Sequence, residues 1–168
     1  MSYISVIRLP IYQYQRMKLD KLDRELLRTL QAEGRLSNAE LAPRIGLSPS
    51  ACFRRLQRLE QSGVIAGYAA VLDGAAIGRP TTVFIEVTLD SQGSVALDAF
   101  ERAVQACPDI LECHLMSGDF DYLLRVAVAD IRDYERVHRQ QVATFPHVAR
   151  IRTAFAMRSV LGRRGYAL

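Results

Sequence analysis

Residues 37–60 read SNAELAPRIGLSPSACFRRLQRLE, two capped helical segments joined by a short glycine-containing link. Ser37-Asn38-Ala39-Glu40 is a capping box, in which the Ser oxygen caps forward and the Glu side chain reaches back. The helix it opens carries Leu41, Ala42 and Ile45 and stops at Gly46. Ser48 is a good N-cap for the next helix, and Pro49 fits its first position, where no N–H is needed. That helix runs to about Glu60 and ends near Gly63. Only Gly46-Leu47-Ser48 separates the two. So short a link with a glycine forces a sharp angle between helices, which is the helix-turn-helix arrangement.

Upstream, Leu19, Leu22, Leu26 and Leu30 recur at spacings of three and four and form one apolar stripe. Asp20 can cap this first helix and Gly34 closes it. On a wheel of about 100° per residue, Cys52, Leu56 and Leu59 of the third helix face the core. Ser50, Arg54, Gln57 and Arg58 face away, with Arg55 at the flank, and no acid intervenes before Glu60. A helix fits the major groove, where Arg reads guanine through two hydrogen bonds and Ser bonds bases or phosphate.

Charge is distributed accordingly. The net charge is +4, but residues 1–65 hold eleven basic and six acidic side chains, so the remainder is slightly acidic. A basic segment joined to a near-neutral one points to a polyanion partner for the first alone. Double-stranded DNA is the expected partner. The expected contacts are Arg54, Arg55 and Arg58, with Ser48 and Ser50 near phosphate at the helix start and Arg35 and Asn38 as secondary phosphate contacts.

The second part alternates in type. Residues 67–80 read as a linker. Thr81–Leu89 is a strand with Val83, Ile85, Val87 and Leu89 on one face. Residues 94–107 are helical through Leu97, Phe100, Val104 and Cys107, and Pro108 stops them. Ile110–Ser117 is a strand that sets Leu111, Cys113 and Leu115 against Glu112, His114 and Met116. Tyr122–Val128 follows a Gly118-Asp119 turn, Asp130 caps a helix carrying Ile131, Tyr134, Val137 and Gln141, and Val148–Met157 closes with Ile151, Thr153 and Phe155. The order βαββαβ predicts a ferredoxin-like sandwich over 81–160. Two helices cover one sheet face. The other face, with Phe84, Met116 and Ala154, is expected to be apolar and covered by a second copy. A dimer would carry two recognition helices about 34 Å apart, matched to successive major grooves. In Gly118-Asp119-Phe120-Asp121-Tyr122, two acids beside a glycine turn can receive a ligand's amino group. The plainer and preferred reading on chemistry alone is a hairpin whose Asp residues make Asx-type turns.

Other classes find little support. Cys52, Cys107 and Cys113 have no C-x-x-C spacing and read as small buried hydrophobes in a reducing cytosol, with no metal site. No run of about 18 apolar residues is present to span a membrane. Residues 1–16 form an N-terminal extension that makes a poor signal peptide and receives no role. Cys113 and His114 are neighbours on a strand and point to opposite faces, so they cannot pair as nucleophile and base. No phosphate loop or nucleophile elbow occurs, and the chain is not expected to be an enzyme.

LDKLDRELLRTLQAEGRLSNAELAPRIGLSPSACFRRLQRLEQSGVIAGYAAVLD at 19–73, ECHLMSGDFDYLLRV at 112–126 and Arg152-Thr153 together resemble the Lrp/AsnC (feast/famine) family of regulators. The resemblance implies an α+β chain, with a winged helix-turn-helix over 17–66 followed by a ferredoxin-like effector and oligomerisation domain over 81–160. It implies a cytosolic, nucleoid-associated transcription regulator of amino-acid metabolism, without a cofactor. It implies homodimers that assemble further, often into octamers, with an amino acid bound between dimers. Met116, Ser117, Gly118, Asp119 and Asp121 take the effector role on this basis. The extension before Met17, Ala51 where many relatives carry Pro, and the tail 161–168 depart from the pattern. The alternative is a small-molecule-sensing or DNA-organising assembly protein with little sequence specificity.

Overall fold

Asp20 starts the first helix with more than a single cap. Its carboxylate accepts from the Asp23 N–H at 2.8 Å, and the Asp23 carboxylate accepts from the Asp20 N–H at 3.1 Å. The computed structural model describes residues 17–162 and 165–168, so the 1–16 extension lies outside the described residues. Helices α1 (Lys21–Ala32), α2 (Asn38–Arg44) and α3 (Pro49–Gln61) follow. Ser37 and Glu40 form the expected capping box, and Ser48 caps α3 with Pro49 in its first turn. Gly46 turns the chain between α2 and α3 at φ 67°, a conformation that costs a side-chain-bearing residue about 1–2 kcal/mol. Leu26, Leu27, Leu41, Ala42, Ile45, Cys52 and Leu59 form the core of these helices, because each sits on an inward stripe.

Contacts divide the chain into two units. The first comprises the described residues through Ala70 together with those of 161–168. The tail rests on α1: Leu168 packs on the helical core, and the Tyr166 N–H donates to Gln31 Oε1 at 2.5 Å. Between α3 and the next element no strand is present among the described residues.

The second unit, Val71–Val160, is built from β1 (Thr81–Leu89), α4 (Ser94–Gln105), β2 (Ile110–Leu115), β3 (Tyr122–Val128), α5 (Ile131–Gln140) and β4 (Val148–Phe155). All pairings are antiparallel and the sheet order is β2-β3-β1-β4, the ferredoxin-like arrangement. Val83, Ile85 and Val87 are fully buried on the helix-covered face, as strand alternation requires. They meet Phe100, whose ring lies 4.5 Å from that of Tyr122. Asp130 caps α5 through the Asp133 N–H, and Tyr134 and Val137 carry its buried side.

Two expectations are corrected. The alternation expected in β2 breaks at a register shift between Ile110 and Glu112. The extra residue turns Leu111 out to solvent, half-exposed, while Ile110 and Cys113 pack on the core. The open sheet face is also less apolar than expected. Phe84 lies across from Arg125 and Ala154, but Glu112 pairs with Arg125 at 2.7 Å and Glu86 with Arg152 at 3.7 Å. Cross-strand ion pairs therefore share the face with Phe84 and Leu123.

Candidate nucleic-acid interface and effector loop

Helix α3 presents three different surfaces. Cys52 and Leu59 are fully buried, with Leu56 partly so. The flank toward the start of α1 is an ion-pair cluster that helical periodicity does not reveal. Asp23, with only 1% of its side chain exposed, accepts from Arg55 at 2.8 Å and from Arg58 through both carboxylate oxygens at 2.6 Å. Arg55 also reaches Asp20 at 2.6 Å. The Arg55 hydrogen bond, helped by the Asp23 N–H, holds the Asp20 carboxyl below its ordinary value of 3.8. Two of the three expected cations on the helix are thus tied down by acids 32–35 residues earlier in the chain.

Arg54 differs. It is exposed, and among the described residues it has no ion-pair or hydrogen-bond partner. Ser50 is exposed and lies 3.3 Å from the Ser48 hydroxyl, so the two hydroxyls share the helix N-terminus. Arg35 is also exposed. Asn38 donates to the Pro49 carbonyl at 2.9 Å, which links the start of α2 to the start of α3, while its Oδ1 is buried without a partner. Glu60, the one acid on α3, accepts from the Tyr68 hydroxyl at 2.9 Å.

The β2–β3 hairpin holds the second constellation. The Met116 N–H donates to the Asp121 carbonyl at 2.8 Å and closes the loop. Gly118 takes φ 130°, which favours glycine. The two acids separate in character. Asp119 is exposed and makes no hydrogen bond among the described residues. Asp121 is 7% exposed, and its carboxylate accepts from the Leu89 N–H at 2.7 Å and from the Gln92 side chain at 2.8 Å. It makes no Asx-type turn. The β1–β4 ladder shifts register between Thr88 and Leu89, and the side chain supplies an acceptor at that break. Ser117, Gly118 and Asp119 form the exposed rim, with Met116 beside them, partly exposed. No group of three or more His, Cys, Asp or Glu side chains among the described residues is arranged to hold a metal ion. No helix among them is long and apolar enough to cross a membrane.

Residues 19–66 match the winged helix-turn-helix DNA-binding family, and residues 82–166 match the Lrp/AsnC ligand binding domain. The leucine-responsive regulatory protein of Escherichia coli K12 is 42% identical over 142 residues, 84% of this chain and 87% of that protein. An AsnC family transcriptional regulator from Agrobacterium tumefaciens superposes with a TM-score of 0.83 at 36% identity, over 89% of this chain and 97% of its own. A transcriptional regulator from Neisseria meningitidis, solved as its L-Met complex, superposes with a TM-score of 0.81 at 32% identity, over 86% and 94%.

Proposed function

Since this chain belongs to the Lrp/AsnC family of DNA-binding transcription regulators, we propose that it controls genes of amino-acid metabolism by placing paired copies of α3 in duplex DNA and answering to an amino acid. The observation that carries this reading is the outward face of α3. It is a capped helix after a tight glycine turn, with Arg54 uncompensated and its single acid turned to Tyr68. Ser48 and Ser50 offer hydroxyls to phosphate at the helix N-terminus, where the free N–H groups add positive field. Arg35 and Asn38 stand at the entry of α2 as further phosphate contacts. Arg55 and Arg58 give phosphate a cationic flank while Asp20 and Asp23 fix their direction. The protein works in the cytosol, on the nucleoid, as a homodimer that associates further.

A salt titration tests the DNA half. Phosphate contacts release condensed counterions, so log affinity falls linearly with log salt. A flat line would remove the phosphate contacts and the reading with them.

The effector half rests on the β2–β3 hairpin. Relatives named for leucine response or solved with L-Met support an amino acid as the ligand class. Asp119 has a free carboxylate for an ammonium group, and the backbone N–H groups of Ser117 and Gly118 suit a carboxylate. Met116 and Asp121 border the loop. The bound amino acid acts by favouring one assembly over another, and it can shift that balance only by its differential affinity. Asp119→Ala should leave the melting temperature and duplex affinity unchanged and blunt the thermal shift given by the effector in a screen of the twenty amino acids. A variant that responds normally would put the pocket elsewhere.

A further inference from the structure

Ser50, Phe53, Arg54 and Gln57 recur at i, i+3, i+4 and i+7 and so lie on one side of α3. All four are exposed, and this is the side left over once the core and the Asp23 cluster have taken the rest of the helix. Phe53 is the anomaly among them: its side chain is 54% exposed on a polar, cationic surface. It makes no ring contact among the described residues. A single exposed aromatic side chain is ordinary. Its position beside Arg54 and Gln57 gives it chemical meaning. The major groove edge of a base pair offers one apolar group, the C5-methyl of thymine, next to the acceptors and donors that Arg and Gln bond in pairs on guanine and adenine. The net positive charge of the first 65 residues and the absence of a free acid on this face select duplex DNA as the occupant.

We propose that Phe53 is a specificity-determining residue that packs on a thymine methyl in the operator, with Gln57 and Arg54 bonding neighbouring base edges. This deepens the DNA-binding reading above and depends on it. The contact makes the protein prefer A·T over G·C at one position of each half-site, independently of its phosphate contacts. Phe53→Leu keeps an apolar contact and keeps the preference, whereas Phe53→Ala loses it.

The test uses the full-length protein and a duplex enriched from a randomised pool. Each thymine is replaced in turn by deoxyuridine, which lacks only the C5-methyl. One position per half-site should weaken wild-type binding by about fourfold, the worth of one methyl group taken out of water. The same replacement should leave Phe53→Ala binding unchanged and still weaken Phe53→Leu. Affinity for unrelated duplex should be equal in all three proteins. If no thymine distinguishes wild type from Phe53→Ala, the inference is overturned while DNA recognition stands. It is equally overturned if Phe53→Ala changes the oligomeric state or melting temperature, since the ring then serves packing. If the wild type enriches no sequence, the DNA-binding reading falls together with it.

Discussion

Asp23→Ala should lower the stability of the helix-turn-helix unit by about 3 kcal/mol, at the low end of the cost of removing one partner from a buried ion pair. Asp23 is 1% exposed, but Arg58 and Arg55 are 49% and 26% exposed, so the orphaned guanidinium groups can turn partly back to water. That relief keeps the cost from being higher. Two losses remain. The Asp20 N–H loses its acceptor at the helix start, worth about 1 kcal/mol as a capping interaction. The charged hydrogen bonds from Arg55 and Arg58 are lost together. In a unit of this size the melting temperature should fall by more than about 10 °C. Circular dichroism melts read this directly. A fall of only a degree or two would mean that the cluster is solvated surface charge and does not fix the angle of α3 on α1. Arg58→Ala is the companion measurement, because it leaves Asp23 its Arg55 bond and the cap and should therefore cost less.

The sequence makes some of this legible and hides the rest for identifiable reasons. Ser37, Glu40, Ser48 and Pro49 declare the two helices because capping acts over three residues and needs no tertiary information. Val83, Ile85 and Val87 declare β1 because its two faces differ in environment, so alternation survives in the composition. The wheel of α3 separates buried from exposed positions correctly. What it cannot show is that Arg55 and Arg58 are held by Asp20 and Asp23 on another helix. The exposed Phe53 escapes the same reasoning, since helical periodicity tolerates an aromatic residue at the border of the apolar stripe. The β2 register shift places Leu111 in solvent without any glycine or proline to mark it. A bulge is fixed by the partner strand, and the partner is not local.

The hairpin acids show the same division, and there the consequence can be measured. Asp119 and Asp121 are two residues apart and look equivalent in sequence, yet one is exposed and the other is buried under two hydrogen-bond donors. Asp121→Ala should cost the sheet unit about 2–3 kcal/mol, because hydrogen bonds to a charged group are each worth about 1.5–3 kcal/mol and the Leu89 N–H would be left without an acceptor. Asp121→Asn separates structure from recognition. Its amide oxygen can still take the Leu89 N–H, and Gln92 can turn its own amide to match, so most of the stability should return. The negative charge does not return. If Asp121 only pins the hairpin to the end of β1, the Asn variant should melt near wild type and respond to the effector normally. If the carboxylate also helps to hold a ligand's ammonium group, the Asn variant should stay folded and lose the response. The expected result is the second: a folded Asp121→Asn protein whose thermal shift with the effector is reduced at least tenfold in apparent affinity, about 1.4 kcal/mol. An unchanged response in this variant would leave Asp121 with a purely structural part and shift ligand recognition onto Asp119 and the loop backbone.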